Sequence, residues 1–167
     1  MSHGIICKSP MAEFVIRNLT EEGAMEYSFH VASAAINREE IGNPVYSPVQ
    51  KKLAEHGISC TSYVARQLAS CDYAEYDLLI GMDPASVCNM RRIFCSDPAE
   101  KIHLLMGYAG QLGQEIADPW YIGDFESTWK DVSVGCQGLL EHLVKEMRTK
   151  NEFKRSDPAY EKRCLLS

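Results

Sequence analysis

The sequence feature that most constrains the fold is a short apolar run, Leu78-Leu79-Ile80-Gly81-Met82, which Asp83-Pro84 follows directly. Such a run is typical of a strand that is buried on both faces of a parallel sheet. Proline suits the first position of a helix, and a helical pattern continues from about 85 to 95. Because parallel strands need a crossover connection, which is usually a helix, this pair of elements predicts an α/β fold with a small parallel sheet.

Strands and helices alternate along most of the chain. Apolar patterns predict strands at 29–35 and 102–106 and helices at 48–56 and 125–148, with a loop at 107–124. A further helix is predicted after Ser9, which can cap it, and Pro10. From residue 149 onward the sequence is charged and polar. These patterns predict one domain over 1–148 and a disordered tail over 149–167.

Composition narrows the classes of function. The chain has 167 residues and a net charge of −6, which suits one domain and does not favour a surface for nucleic acid. No apolar run reaches the roughly 20 residues that a membrane helix needs, and no secretory signal is recognisable. The seven cysteines have no Cys-x-x-Cys spacing and do not cluster with the five histidines. We therefore expect free thiols in a reducing cytoplasm, with neither a disulfide framework nor a metal site.

A candidate anion site precedes the first helix. Gly4 is followed by three apolar or small residues and then by Lys8-Ser9-Pro10. The N–H groups at a helix N-terminus and the helix dipole favour a bound anion, and Lys8 adds a positive charge. Glycine permits the backbone angles that a nest of N–H groups requires. Taken alone, the same residues also fit an ordinary helix start.

Several separate segments extend this pattern. They are Gly4 to Glu13, Ser33-Ala34-Ala35, Glu40-Ile41-Gly42-Asn43-Pro44, His56-Gly57-Ile58, Val64-Ala65-Arg66-Gln67, Met82-Asp83 and Asp118-Pro119-Trp120-Tyr121. In this order and near this spacing they resemble the low-molecular-weight protein tyrosine phosphatases over about residues 2–145. A fold-related arsenate reductase is the nearest alternative, and the Asp-Pro-aromatic-Tyr segment favours the phosphatases.

The resemblance implies a three-layer sandwich with strand order 2-1-3-4. It also implies hydrolysis of phosphotyrosine or aryl phosphomonoesters in a phosphorylated protein or a small molecule, through a phosphocysteine intermediate and without metal or cofactor. The residues that it implies are the nucleophile position Ser2, the arginine position Lys8, the loop serine Ser9, the phosphate-binding residues Gly4, Ile5, Ile6, Cys7 and Lys8, the proton donor Asp118, and the cleft aromatics Trp120 and Tyr121.

Departures from the family pattern lead us to expect strongly impaired activity. Ser2 offers a hydroxyl, whose pKa lies several units above that of a thiol, and no nearby residue is a recognisable general base for it. Lys8 lacks the planar fork with which arginine holds two oxygens. Ile5 and Tyr63 replace an asparagine and a histidine that brace the loop in many members. We expect Cys7, at the second loop cysteine, to lie on the rim, where in-line attack is not possible.

Two alternatives to an impaired enzyme stay open, a catalytically inactive phosphate or phosphotyrosine binder and a truncated relic. Only Met1 precedes Ser2, so the first strand of the family, which is central in its sheet, is expected to be absent. A misassigned start, a decaying gene, or another segment or partner that covers the gap would each explain this. The sequence does not decide between these explanations.

The last residues, Cys164-Leu165-Leu166-Ser167, also fit a prenylation motif that follows two basic residues. An ordinary chain end fits them equally. We therefore expect a cytoplasmic protein with no nucleic-acid partner and no membrane contact, unless Cys164 is prenylated.

Overall fold

Four parallel strands form one sheet with helices on both faces in the computed structural model, which describes residues 7–25, 28–119, 123–153 and 161–167. The elements in chain order are α1 (Lys8–Glu22), β1 (Phe29–Ser33), α2 (Ser47–Glu55), α3 (Asp72–Glu75), β2 (Leu78–Gly81), α4 (Pro84–Ile93), β3 (Ile102–Leu104), α5 (Phe125–Phe153) and β4 (Lys162–Leu166). Two 3₁₀ turns lie at Arg38–Glu40 and Leu105–Ala109. The predicted α/β class with a small parallel sheet is confirmed.

Helix α1 begins earlier than the sequence indicates. Cys7 already has helical backbone angles, φ −107° and ψ −49°, and no side chain caps the helix. Ser9 therefore lies inside the first turn, and the prediction that Ser9 is the cap is wrong. The buried face of α1 includes Met11, Val15 and Ile16, which packs the helix against the sheet.

The predicted strands are present and shorter than expected. β1 ends at Ser33, and Ala35 makes only an isolated bridge to Gln67. β2 is buried at all four positions, as its uninterrupted apolar run predicts. The carboxyl ends of β1 and β2 lie at the same edge of the sheet.

Helix α5 is the longest element and packs on the turn that follows β3. Val132, Cys136, Leu139 and Leu143 are buried at helical spacing, as predicted. A Cβ on Gly138 would lie 2.3 Å from the carbonyl oxygen of Tyr108, so glycine is required for this close approach. Within the described residues, no helix combines the length and apolar character needed to cross a bilayer.

The strand that occupies the centre of the sheet is β4. The order is β1-β4-β2-β3, and β4 is parallel to both of its neighbours. This order matches the expected 2-1-3-4 if β4 takes the place of the first strand. The central position is therefore occupied although, within the described residues, no strand precedes α1, because a parallel strand is placed by its pairing and not by its order in the chain. A segment of the same chain covers the gap.

Both faces of β4 are covered, and this explains its apolar sequence. Cys164 and Leu166 belong to the core under α1 and α5, whereas Leu165 packs on the other face with Met90 of α4. All three are at most 1% exposed. Alternate residues of a strand point to opposite faces, so this short run contributes to both cores.

Polar contacts fix the start of β4. The ammonium of Lys162 lies 2.8 Å from the carboxylate of Glu146 on α5. The backbone N–H of Arg163 donates to the Asp77 carboxylate over 2.8 Å, and the Asp77 N–H donates to the Arg163 carbonyl. These bonds position the strand at its entry between β1 and β2.

The predicted disordered tail over 149–167 is wrong for the residues that the structure describes. Helix α5 extends to Phe153, and Lys162–Leu166 is a strand. Most residues of this segment are charged or polar, so its three consecutive apolar residues do not by themselves predict a strand. The sulfur of Cys164 lies in the core, and burial raises the pKa of this thiol to about 12, so attaching a prenyl group would require the strand to leave the sheet.

Truncating the central strand tests its position. We expect Leu165→Ala to lower the free energy of unfolding by about 2–5 kcal/mol, because it removes a fully buried side chain from the core. Leu112→Ala removes the same atoms from a side chain that is 90% exposed, and should change stability by less than about 0.5 kcal/mol. Urea unfolding of both variants measures the difference. Equal stability of the two variants would contradict the placement of β4.

Candidate active site

A cavity of about 160 Å³ opens at the carboxyl ends of β1, β4 and β2. In open α/β sheets this edge is where ligands bind. Its walls are formed by residues 7–9 at the start of α1, 34–37 after β1, Ser167 after β4, Met82 and Asp83 after β2, the first turns of α4, and Asp118.

Lys8 crosses this cavity from α1 to the end of β2. Its Nζ donates to Asp83 Oδ2 over 2.6 Å and to the Ile116 carbonyl over 3.1 Å. The two charged side chains are only 13% and 22% exposed, so solvent screens the pair less than a surface ion pair. An ammonium has three N–H donors, so these two bonds use most of its capacity.

Asp83 joins the two helices that face the cavity. Its Oδ1 accepts a hydrogen bond from the backbone N–H of Ser86 over 2.7 Å and so caps α4. Burial alone raises the pKa of Asp83, but the hydrogen bonds from Lys8 and Ser86 outweigh it and lower the pKa below its usual value. Asp83 is therefore ionised at neutral pH and holds α1 and α4 together through Lys8.

Cys7 lines the cavity as an un-ionised thiol. Burial raises its pKa to about 12, and the charges of Asp118 and Glu40 act in the same direction, whereas Lys8 opposes them. A thiol in this environment is a poor nucleophile at neutral pH. This agrees with the expectation that Cys7 does not attack the phosphoryl group.

The loop that carries Asp118 is fixed to the end of β2. The Ile116 N–H donates to the Met82 carbonyl over 3.1 Å, and the Thr128 hydroxyl donates to the Ala117 carbonyl over 3.1 Å. Asp118 itself is partly buried and lies near enough to Cys7 to raise the pKa of that thiol. A carboxyl group therefore lies beside the first turn of α1.

Tyr63 takes part in a polar network next to the cavity. The Ser33 hydroxyl, at the end of β1, donates to the buried Glu13 carboxylate over 2.5 Å and lies 3.2 Å from the Tyr63 hydroxyl. Arg17 pairs with the same carboxylate at 2.7 Å. This network ties α1 to β1, and Tyr63 contributes to it with a hydroxyl in the place of an imidazole.

Four of the residues predicted from the sequence, Cys7, Lys8, Ser9 and Asp118, line one cavity, although Asp118 lies more than 100 residues after the other three. Ser2, Gly4, Ile5, Ile6, Trp120 and Tyr121 lie outside the described residues. Within the described ranges, no group of three or more His, Cys, Asp or Glu side chains is arranged to hold a metal ion.

Sequence reasoning gave no site role to several residues of the cavity, and two of them, Asp83 and Ser167, carry polar contacts there. Asp83 carried part of the resemblance, but no role was predicted for it. Ser167 was placed in a disordered tail, whereas it is 5% exposed and follows β4 directly into the cavity. The apolar run before Ser167 was the available signal, but an ordinary chain end, with a lipidation motif as the alternative, was predicted there.

Comparisons with known proteins agree with this fold. Residues 1–149 match the family model described as "Low molecular weight phosphotyrosine protein phosphatase". The Bacillus subtilis low molecular weight protein-tyrosine-phosphatase YfkJ is 33% identical over 144 residues, which covers 86% of this chain and 92% of that protein. The human low molecular weight phosphotyrosine protein phosphatase is 35% identical over 142 residues, or 83% of this chain and 89% of that protein.

Solved structures give the same result. The crystal structure of YfkJ superposes with a TM-score of 0.81 at 32% identity, covering 84% of this chain and 89% of that chain. SP-PTP from Streptococcus pyogenes superposes with a TM-score of 0.72 at 33% identity, covering 87% and 91%.

The Asp83 contacts can be tested by a pair of substitutions. Asp83→Ala removes the cap of α4 and the carboxylate partner of Lys8, and we expect it to lower the free energy of unfolding by about 2–4 kcal/mol at neutral pH. Asp83→Asn keeps a capping oxygen and should lose about 1–2 kcal/mol. Urea unfolding measures both.

The pH dependence of the same variants gives a second readout. Since folding lowers the pKa of Asp83, its charge stabilises the native state above the unfolded pKa, and this contribution is lost as pH falls through the lower, folded value. The stability difference between the wild type and Asp83→Asn should therefore shrink as pH falls below the ordinary aspartate pKa of 3.8 toward the lower value in the folded protein. A difference that persists unchanged in acid would contradict an ionic origin.

Proposed function

The chain belongs to the family of low-molecular-weight phosphotyrosine protein phosphatases, whose reaction is the hydrolysis of phosphotyrosine, and we propose that the cavity at the carboxyl ends of β1, β4 and β2 binds the phosphoryl group. The observation that carries this proposal is the convergence of Lys8, Ser9 and Asp118 on one cavity at the N-terminus of α1. Chain segments more than 100 residues apart supply these groups.

Backbone donors support anion binding there. The first hydrogen bond within α1 runs from the Met11 N–H to the Cys7 carbonyl at 3.4 Å, so the N–H groups of Lys8 and Ser9 precede the helical ladder. Donors of this kind, together with the helix dipole, stabilise a negative charge. Lys8 keeps one N–H beyond its two hydrogen bonds, and that donor suits a phosphoryl oxygen.

The proposed chemical roles follow the resemblance. Asp118 donates a proton to the leaving oxygen of an aryl phosphate, and Lys8 and Ser9 contact the phosphoryl oxygens. Gly4, Ile5 and Ile6 complete the phosphate-binding segment. We place Trp120 and Tyr121 at the cleft that receives the aromatic ring.

Turnover is expected to be strongly impaired. Ser2 has a hydroxyl where the family has a thiol, and the pKa of Cys7 is far too high for a neutral-pH thiolate. Lys8 is also committed to Asp83 and therefore cannot enclose the phosphoryl group as an arginine does. The supported reaction is slow metal-free hydrolysis of aryl phosphomonoesters.

Binding without turnover is the second candidate function. The Lys8–Asp83 pair and the un-ionised Cys7 favour it, because they preserve an anion pocket without a nucleophile. Calorimetry with inorganic phosphate and with a phosphotyrosine peptide, beside turnover of an aryl phosphate, separates the two. Heat without turnover identifies a binder.

The family acts on phosphorylated proteins or small phosphate substrates. For this chain we propose a phosphotyrosine-containing protein or a small aryl phosphate as ligand, and a cytoplasmic location. The net charge of −6 does not favour nucleic acid as a partner. Burial of Cys164 does not favour attachment to a membrane through a lipid.

Replacing Lys8 by arginine should strengthen binding. The guanidinium has five donors in a planar fork, so it can keep a bond to Asp83 and still hold two phosphoryl oxygens. We expect Lys8→Arg to bind inorganic phosphate about 3- to 10-fold more tightly in calorimetry. Lys51→Arg, at an exposed position on α2, is the matched control. Weaker binding by Lys8→Arg would argue against a phosphoryl contact at this position.

Asp118→Asn should separate binding from catalysis. It removes a negative charge from the cavity, so inorganic phosphate should bind equally well or more tightly. Any residual hydrolysis should fall, and more for phenyl phosphate than for p-nitrophenyl phosphate, because the poorer leaving group depends more on protonation. Asp131→Asn, on α5 outside the cavity, controls for loss of charge. Rates that survive Asp118→Asn with both substrates would exclude the acid role.

A further inference from the structure

Ser167 is the residue through which the central strand reaches the cavity. Its backbone N–H donates to the Ile80 carbonyl over 2.8 Å, and its carbonyl accepts from the Met82 N–H over 2.9 Å. On the other side, the Ala34 N–H donates to the Leu166 carbonyl over 2.9 Å. Ser167 therefore continues the ladder of β4 beyond Leu166 and is held between the ends of β1 and β2.

This position differs from those of the other polar groups in the cavity. Lys8 and Ser9 approach from α1, and Asp118 approaches from the loop that follows β3. Ser167 approaches from the sheet itself, and no other residue of the described tail lines the cavity. A ligand on the N-terminus of α1 is therefore closed off on its sheet side by Ser167.

The chemistry of Ser167 suits an anion. Its hydroxyl can donate a hydrogen bond to a phosphoryl oxygen, and a donor bonded to a charged acceptor is stronger than one bonded to a neutral group. The backbone of Ser167 is already fixed by its bonds to Ile80 of β2 and to Met82, which follows β2, so contact with a ligand costs little further ordering. The residue is 5% exposed and lines the cavity.

We propose that Ser167 contacts the bound phosphoryl group from the sheet side of the cavity. This inference rests on the proposed function, since it names a contact within the same site. Nothing in the family match predicts it, because that match ends at residue 149. The proposed contact thus joins two distant parts of the chain, the first turn of α1 and the residue after β4.

A thiol placed at residue 167 reports the contact directly. The full-length Ser167→Cys variant is treated with iodoacetamide with and without saturating inorganic phosphate, and alkylation is followed peptide by peptide with mass spectrometry. We expect phosphate to slow alkylation at position 167 by about 5-fold or more, through occupation of the cavity. The exposed Cys71 and Cys95 in the same molecules are internal controls and should react at unchanged rates.

The outcomes separate the inference from the proposed function. If calorimetry shows phosphate binding but alkylation at position 167 is not slowed, the inference is wrong and the proposed function stands. Failure of position 167 to react even without phosphate also overturns the inference, because the side chain then does not reach the cavity. If neither the wild type nor this variant binds phosphate, both the inference and the proposed function fail.

A second set of variants needs no added thiol. Ser167→Asp places a carboxylate against the anion and should weaken phosphate binding by at least about 10-fold, whereas Ser167→Ala should weaken it by only a few-fold. Ser59→Asp and Ser59→Ala, at an exposed position away from the cavity, are matched controls. Thermal unfolding checks that each variant is folded. Equal affinity in folded Ser167→Asp and wild type would overturn the contact.

Discussion

The insertion of β4 between β1 and β2 is the constraint on which the rest of the structure depends. Without β4, both neighbouring strands would present unpaired N–H and C=O groups in the middle of the molecule, and two cores would each lose buried side chains. The loss would be comparable to the roughly 5–15 kcal/mol by which a whole domain is stable. The complete cavity therefore requires β4 in place, because Ser167 after β4 forms part of its wall.

Among the described residues that line the cavity, two carboxyl groups face a single cation, and this limits how an anion can bind. One ammonium, that of Lys8, lies among the carboxylates of Asp83 and Asp118. Lys8 is also bonded to the loop before Asp118, through the Ile116 carbonyl. An anion must therefore obtain much of its stabilisation from backbone N–H groups and from neutral donors such as Ser9. Because the Lys8 ammonium is already bonded to Asp83 and to the Ile116 carbonyl, hydroxyl and amide groups supply much of the hydrogen bonding to an anion.

The sequence predicts most of the fold because most of its elements have local signals. The apolar run at Leu78 and the long helical repeat of α5 both gave the correct element, and the errors at their ends are a few residues. The strand β4 could not be predicted in the same way. Its three apolar residues carry no periodicity, and its stability arises from pairing with strands about 85 and 130 residues earlier in the chain.

The residues of the site also fall into two groups, those that a local sequence motif predicts and those that only the three-dimensional structure identifies. The approach of Lys8, Ser9 and Asp118 to one another was expected from their motif context, and the structure brings them to one cavity. The role of Asp83 in holding Lys8 follows only from the three-dimensional distance between their side chains. Ser167 has no motif at all, and its place is visible only once β4 is known to be central.

The presence of Asp118 is weak evidence for catalysis, because the segment around it also has a structural role. Ile116 is buried, its N–H is bonded to the end of β2, and its carbonyl is bonded to Lys8. Ala117 is held by Thr128 at the start of α5. These contacts fix the backbone on the N-terminal side of Asp118 whether or not a leaving group is protonated there. Asp118 can therefore be retained for the structure of this segment alone, and only opposite effects of its substitution on binding and on turnover can distinguish the two roles.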